Sequence, residues 1–160
     1  MEQFLIRKAT LADLDVLYLF EQNIIRAERP FDQTLDRDPI NYYDLKELIG
    51  MDDAIVLLAE SGTRIIGSGF GHIRAAKPYL GHSHYAHLGF MYTDPDYRGR
   101  GVNKAIVQRL TDWARSKKMT ESRLTVYNDN ISAIRAYGKV GFKKHILEMR
   151  MDLNDEKLGD

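Results

Sequence analysis

A glycine-containing turn that joins an apolar run to an amphipathic pattern constrains this chain most. The turn comprises residues 93–103 and reads Thr-Asp-Pro-Asp-Tyr-Arg-Gly-Arg-Gly-Val-Asn. Ahead of it, the apolar and aromatic run 85–92 predicts a strand. After it, apolar residues recur at helical spacing and predict a helix: Val102, Ile106, Leu110 and Trp113. The chain is therefore expected to pass from a strand directly into the N-terminus of a helix.

This turn has the chemistry of an anion site. The first N–H groups of a helix have no partner within the helix, and the helix dipole places partial positive charge beside them. Arg98 and Arg100 add charge that persists at any ordinary pH. The same residues also fit a plain strand-to-helix connection, with glycine for tight geometry and arginine for solubility. The turn alone does not separate the two interpretations.

Composition narrows the class of protein. The 160 residues suit one well-buried core, so we expect a single domain over residues 1–160. The 23 acidic and 23 basic residues balance, which argues against nucleic acid or an anionic membrane as partner. There is no cysteine, which excludes disulfides, thiolate metal sites and a cysteinyl intermediate. The N-terminus does not resemble a signal peptide and no apolar run reaches about 18 residues, so a cytoplasmic protein is expected.

The remaining patterns predict strands and helices that alternate along one α/β domain in the order β-α-α-β-β-β-α-β-α-β. Strands are predicted at residues 4–6, 54–60, 64–73, 84–93 and 123–127, with a closing strand or strand pair at 142–153. Helices are predicted after a capping box of Thr10 and Asp13, at 42–49, from 102 to about 117, and at 131–140. Residues 26–39 are predicted to be a long charged loop.

Three glycines fall at period two in the third predicted strand. Gly67, Gly69 and Gly71 share one face of that strand, which therefore carries a track without side chains. Such a track accommodates either a ligand or another backbone at close range, or a helix packed tightly on the sheet.

Residues 130–142 resemble a known family. They read Asn130-Ile-Ser-Ala-Ile-Arg-Ala-Tyr137-Gly-Lys-Val-Gly141-Phe142, which is similar to the Asn-x-x-Ala, Tyr and Gly-Phe signature of the GNAT N-acyltransferase superfamily. The turn at 98–101 resembles the pyrophosphate-binding turn of that family, and the start of the chain, from Ile6 to Asp13, resembles its first strand and helix cap. Asn103 departs from the pattern, which usually has a small residue there. The implied fold is a splayed mixed β-sheet flanked by helices.

The resemblance implies acetyl-CoA, or another acyl-CoA, as co-substrate. Its pyrophosphate would lie on the backbone N–H groups of the turn, contributed by Arg98, Gly99, Arg100, Gly101, Val102 and Asn103. Its pantetheine would pair like an added strand with Met91, Tyr92 and Thr93. Asn130 would bind the cofactor arm, although an Asn at this position also suits a helix N-cap.

The implied reaction is transfer of the acyl group to an amine. Because the chain has no cysteine, direct attack in a ternary complex is preferred over a covalent acyl-enzyme. Tyr137 matches the family's general acid, since a phenol of pKa about 10 can protonate a thiolate whose acid has a pKa of about 8.5. It also fits a packing residue on its helix. A backbone N–H near Met91 would polarise the thioester carbonyl.

The general base is less determined by sequence. His87 lies near the position of a base in the family, His72 on the neighbouring strand is the competitor, and Glu28 is a third choice. The run of His82, His84 and His87 also suggests a zinc site. No acidic ligand lies near these histidines in the sequence, so we expect no metal.

The acceptor is expected between the charged loop, the helix that begins near Tyr42, and the loop around Tyr79. The residues predicted to bind it are Glu28, Phe31, Tyr42, Tyr43 and His72. Mixed charge and aromatic rings suit a small polar amine, such as an amino acid or polyamine, or a peptide N-terminus.

The sequence therefore predicts an acetyl-CoA-dependent N-acetyltransferase acting on a primary amine. The alternative is a non-catalytic acyl-CoA-binding or sensing module that keeps the fold without the chemistry. Homodimers are common in the family the chain resembles, so a homodimer is also expected, although no feature of the sequence favours a purely scaffolding role.

Overall fold

Five strands form one mixed sheet in the computed structural model, which describes residues 3–155. The chain divides after Thr125 into two compact units, and the sheet belongs to the first. The elements of that unit are β1 Leu5–Lys8, α1 Leu14–Glu28, α2 Leu45–Gly50, β2 Ala54–Ser61, β3 Arg64–Ala75, β4 His84–Thr93, α3 Val102–Ser116 and β5 Ser122–Arg123.

The strands lie side by side in chain order, from β1 to β5. The first four pair antiparallel, whereas β4 and β5 pair parallel. A parallel pair needs a crossover connection, and here α3 supplies it. The predicted combination of hairpin-connected strands with a helical crossover is therefore confirmed.

The α1 and α2 helices cover one face of the sheet. Alternate residues of β2 and β3, such as Val56 and Phe70, point to this face and form a buried cluster with the apolar stripe of α1. Leu45 and Leu48 of α2 complete the cluster. The stripe repeats at helical spacing as the sequence predicts, at Leu17, Phe20 and Ile24.

The α3 helix covers the opposite face, and the glycine track is the reason that it lies so close. A Cβ added to Gly69 would come within 2.7 Å of Ile106 Cγ2, and one added to Gly71 within 2.7 Å of the Trp113 ring. Of the two uses predicted for the track, the structure therefore shows tight packing of a helix on the sheet.

The predicted capping box lies at the start of the first helical segment. The Thr10 N–H donates to Asp13 Oδ2 at 2.7 Å, and Arg7 donates two hydrogen bonds to the same carboxylate. The Arg7 guanidinium lowers the pKa of Asp13 to about 2. One turn of 3-10 helix, Leu11–Asp13, precedes α1.

The predicted loop at 26–39 is partly helical. Helix α1 extends through Glu28, and a 3-10 turn covers Arg29–Phe31. No helix breaker occurs before Pro30, and the residues ahead of it are good helix formers, which explains the longer helix. The rest of the segment is irregular, with Arg29 paired to Asp38 at 2.5 Å.

The second unit contains α4, Ile131–Lys139, which confirms the helix predicted there. The strand predicted at 123–127 is limited to Ser122–Arg123. The closing strand predicted at 142–153 is wrong, because the structure forms no strand within that range. Its alternating residues, including Leu147, Met149 and Met151, are exposed. A strand needs a neighbour for its backbone hydrogen bonds, so alternation alone does not create one.

Candidate active site

The turn between β4 and α3 uses its glycines for backbone conformation. Gly99 has φ of 75° and Gly101 has φ of 83°, and Gly101 is the N-cap of α3. Nothing lies within 4 Å of a Cβ built on either glycine, so steric crowding is not the reason for them. Positive φ is the reason, since other residues adopt it at a cost. The exposed turn therefore leads directly into the N-terminus of a helix 15 residues long.

Ion pairs hold this turn against β3. Arg64 contacts Asp94 at 2.7 Å and Asp96 at 3.3 Å. Asp94 also accepts a hydrogen bond from the Asp96 N–H and donates its own N–H to the Ile66 carbonyl. The start of the turn is therefore fixed by both backbone and side-chain contacts.

Two arginine side chains, one from β3 and one from the turn, lie over the ring of Tyr97. The guanidinium groups of Arg64 and Arg100 are 5.4 and 5.1 Å from the centre of its ring. Arg98 donates to the Thr93 carbonyl at 3.3 Å. Asn103, the departure from the family pattern, lies half-buried in the first turn of α3. Of the predicted pyrophosphate residues, those at 98–101 are thus exposed, whereas Val102 is buried.

The recorded pairing of β4 with β5 ends before this turn. Pairing with β5 joins Ala86 to Ser122 and His87 to Arg123, and the recorded register extends no further along β4. On its other side β4 contains a bulge between its pairs with Phe70 and Ser68, and Phe90 within the bulge has φ of 57°. The predicted pantetheine strand, Met91 to Thr93, therefore follows the point where the recorded β4–β5 pairing ends.

The two candidate bases lie directly opposite one another on β3 and β4. His72 pairs with His87 in the antiparallel register, so both side chains face the α1 and α2 side of the sheet. The His72 Nε2 atom is 3.9 Å from Asp53 Oδ2. Burial, with smaller effects from Arg74 and His72, lowers the pKa of His87 to about 4. An unperturbed imidazole near pKa 6.5 is the expectation from the sequence, whereas burial in the folded protein disfavours the charged imidazolium of His87.

Glu21 is a site residue that sequence reasoning missed. It is fully buried, and its Oε2 atom accepts hydrogen bonds from the N–H groups of Tyr42 at 3.2 Å and Tyr43 at 2.9 Å. Burial raises its pKa, and the two hydrogen bonds oppose that shift. Glu21 lies four residues after Leu17 and therefore on the apolar stripe of α1. This position in the sequence indicates a buried carboxylate.

The predicted acceptor residues lie mainly on the same side of the sheet. Burial raises the pKa of Glu28, which shares a hydrogen bond with the Tyr42 side chain. Burial also raises the pKa of Tyr43 to about 12. Phe31 is partly exposed at the end of the 3-10 turn that follows α1. A pocket of about 450 Å³ opens nearby, lined by Tyr18, Asn41, Tyr43, Asp44 and Leu45.

The remaining predicted residues, Asn130 and Tyr137, belong to the second unit. Asn130 is the N-cap of α4, where its side chain accepts a hydrogen bond from the Ala133 N–H at 3.2 Å. Tyr137 is half-buried, and its ring lies 6.1 Å from that of Phe142. The capping role of Asn130 is thus observed, and its cofactor role stays a prediction.

Between residues 3 and 155, no three His, Asp or Glu side chains gather in a way that would hold a metal ion. Over the same part of the chain, no helix combines the length and apolar character needed to cross a bilayer.

Comparison with known proteins identifies the family. Residues 20–142 match the model of the acetyltransferase (GNAT) family, and the chain belongs to that family. It is 29% identical over 113 residues to a glucosamine 6-phosphate N-acetyltransferase of Trypanosoma brucei brucei, a match that covers 71% of this chain and 74% of the relative. The protein is accordingly an acetyltransferase, as the sequence predicts.

Solved structures agree with this fold. A predicted acetyltransferase from Clostridium acetobutylicum, determined with acetyl-CoA, has a TM-score of 0.74 at 17% identity, covering 94% of this chain and 97% of the other. Glucosamine-6-phosphate N-acetyltransferase from Arabidopsis thaliana has a TM-score of 0.69 at 20% identity, covering 96% and 100%. At such identities the likeness establishes the fold alone.

Proposed function

We propose that this protein transfers the acetyl group of acetyl-CoA to a primary amine by direct attack in a ternary complex. One observation carries the proposal: β4 continues beyond its last recorded pair with β5 into an exposed turn whose two left-handed glycines precede a long helix. That arrangement suits an extended pantetheine followed by a pyrophosphate. Membership of the acetyltransferase family and the acetyl-CoA in the Clostridium structure support it.

The proposed cofactor contacts follow the chain. The pyrophosphate binds the N–H groups of residues 98–103, with Arg98 and Arg100 adding positive charge. The pantetheine pairs with the backbone of Met91, Tyr92 and Thr93. Asn130 binds the cofactor arm while it caps α4.

The proposed chemistry is a single addition and elimination. The amine nitrogen attacks the thioester carbonyl, a backbone N–H near Met91 stabilises the developing oxyanion, and the carbon–sulfur bond then breaks. Tyr137 gives its proton to the departing thiolate, and the nitrogen loses a proton to the base. His87 is the proposed base. Because its pKa is about 4, it keeps a free lone pair at neutral pH but stores a proton poorly, which favours relay of that proton to water.

The proposed acceptor region comprises the partly buried acidic and aromatic residues beside α1 and α2, with His72 at its sheet side. Its members are Glu28, Phe31, Tyr42, Tyr43 and His72. The Trypanosoma relative is named for glucosamine 6-phosphate, so amino sugars and their phosphates are the first acceptors to test. Amino acids, polyamines and peptide N-termini follow from the mixed charge of the region.

Calorimetry with acetyl-CoA, followed by an amine panel with a thiol-detecting reagent, tests this function. We expect micromolar binding and release of CoA with at least one amine. No binding at high micromolar acetyl-CoA contradicts the proposal. Binding without thiol release across the panel favours instead a non-catalytic acyl-CoA-binding or sensing module.

The proposed setting is the cytoplasm, with one acetyltransferase domain per chain. The balanced charge supports a small-molecule or peptide acceptor rather than nucleic acid or a membrane. A homodimer is proposed because dimers are common in this family. Light scattering would measure the oligomeric state directly.

A further inference from the structure

The Phe90 peptide has an unusual conformation that the structure must hold in place. Phe90 has φ of 57°, a backbone conformation that is rare and strained for a bulky residue. Its side chain is nonetheless almost fully buried. Residues in a strained backbone conformation persist only where contacts from the surrounding structure hold them in it.

One contact that holds Phe90 comes from β3. The Ser68 hydroxyl donates to the Phe90 carbonyl at 3.0 Å, and Ser68 is fully buried. Serine is an unusual choice for such a position unless its hydroxyl has a partner. Ser68 therefore does more than fill space in the core, because its hydroxyl holds the backbone of the β4 bulge through a hydrogen bond.

The second contact comes from Tyr43, just before α2. Its hydroxyl has a hydrogen bond with the Phe90 backbone that lowers the tyrosine pKa, which is the effect of an N–H donating to the phenol oxygen. The ring of Tyr43 also packs edge-on against Phe90, with centroids 5.6 Å apart. Glu21 in turn holds the Tyr43 backbone from within α1.

We propose that Tyr43 and Ser68 are positioning residues that together hold the Phe90 peptide and so orient the following Met91 N–H toward the thioester carbonyl. The Phe90 carbonyl and the Met91 N–H belong to one planar peptide group, so the Ser68 hydrogen bond to that carbonyl fixes the plane in which the Met91 N–H lies. Tyr43 packs against the Phe90 ring and restrains the residue from the other side. This inference rests on the proposed function, because it refines how the carbonyl is polarised.

The test combines steady-state kinetics with the ¹³C resonance of acetyl-CoA labelled at the acetyl carbonyl. We expect Tyr43→Phe and Ser68→Ala each to lower kcat by about tenfold to a hundredfold, with KM for acetyl-CoA changed less than about twofold. In both variants the bound carbonyl resonance should move back toward that of free acetyl-CoA. Ser68→Cys, which keeps a weak donor, should lie between the wild type and Ser68→Ala. Tyr85→Phe, which keeps the ring that stacks with Arg123, and Ser116→Ala, at an exposed serine of α3, are the matched controls and should behave as the wild type.

Two results separate the possible failures. If the wild type neither binds acetyl-CoA nor releases thiol, the proposed function fails. If the wild type is active and Tyr43→Phe leaves the carbonyl resonance unchanged, the positioning role is wrong even where kcat falls. Tyr43→Phe keeps the packed ring, so circular dichroism should show a folded protein, and this variant decides the matter if Ser68→Ala does not fold.

Discussion

His87 illustrates how position within a sheet changes the chemistry of one side chain. Its strand places it on a covered face opposite another histidine and near Arg74, and both the burial and the neighbouring charge disfavour the imidazolium. An exposed histidine of the same sequence neighbourhood, such as His84, lies at the start of the strand instead. Burial therefore distinguishes His87 from a histidine three residues earlier in the chain.

This difference predicts a dependence of stability on pH. The folded protein keeps His87 neutral down to about pH 4, whereas the unfolded chain binds a proton below about pH 6.5. The contribution of His87 to the free energy of unfolding should therefore fall as pH decreases from about 6.5 to 4. His87→Gln should reduce this slope in urea titrations over that range, and His84→Gln should not. An unchanged slope in His87→Gln would mean that the histidine is not buried as described.

Tyr137→Phe tests the proposed general acid. Loss of the phenol proton should lower kcat by about 10²-fold or more, since thiolate departure then lacks a proton donor. Calorimetry should show acetyl-CoA affinity within about twofold of the wild type. Tyr79→Phe, at a tyrosine that is 82% exposed, is the control. Equal turnover by Tyr137→Phe and the wild type removes the general-acid role.

At the scale of elements, a buried carboxylate joins α1 to the segment before α2. The Oε2 atom of Glu21 accepts hydrogen bonds from two backbone N–H groups of that segment. Its Oε1 atom has no hydrogen-bond partner within the described residues. A buried carboxylate of this kind is held by hydrogen bonds but opposed by desolvation. The segment that bears Tyr42 and Tyr43 is therefore attached to the helix through one side chain.

Two substitutions of Glu21 distinguish the effect of its hydrogen bonds on stability from the effect of its charge. Glu21→Ala leaves two N–H groups without their acceptor and should destabilise the fold by about 2 kcal/mol or more. Glu21→Gln keeps an acceptor oxygen and should cost less. Because burial raises the Glu21 pKa, the contribution of Glu21 to stability should fall as pH rises through that pKa, and Glu21→Gln should lack this component of the pH dependence. Urea titrations from pH 4 to 8 measure both effects, and similar losses in the two variants would contradict the account.

Packing of α3 on the sheet depends on glycine at specific positions. Gly69→Ala should destabilise the protein by about 1–3 kcal/mol, because its Cβ would come within 2.8 Å of Met91 Sδ and 2.7 Å of Ile106. Gly50→Ala is the matched control, since nothing lies within 4 Å of its Cβ, and alanine suits the end of α2. Urea unfolding of both variants measures the difference. Equal stability of the two would show that α3 lies further from the sheet.

For the whole molecule, acetyl-CoA binding should raise the free energy of unfolding. A ligand that binds the folded state alone at 100 times its Kd adds about 2.7 kcal/mol to the free energy of unfolding. Trp113, the single tryptophan, packs against Gly71 and reports unfolding of the first unit by fluorescence. We expect Arg98→Ala to reduce the stabilisation, and Arg109→Ala, at an exposed arginine further along α3, to retain it. Full stabilisation of Arg98→Ala would exclude Arg98 from the cofactor site.

The fold could be predicted from the sequence where local patterns carry the information. Apolar periodicity gave the order of elements up to α4, and positive-φ glycines at 99 and 101 marked the turn. The closing strand was wrong because pairing depends on a neighbour that periodicity does not specify. Glu21 was missed because its role depends on backbone groups some twenty residues away in the chain.

The sequence by itself determined the family, the strand-turn-helix unit and the residue types available to the site. Those properties are local, since spacing, glycine content and apolar period follow from short stretches of chain. Only the tertiary structure decided that His87 stays neutral, that α3 fills the glycine track, and that two hydroxyls hold Phe90. Each of these depends on burial or on atoms brought together from distant segments, because desolvation and hydrogen-bond geometry exist only once the chain has folded.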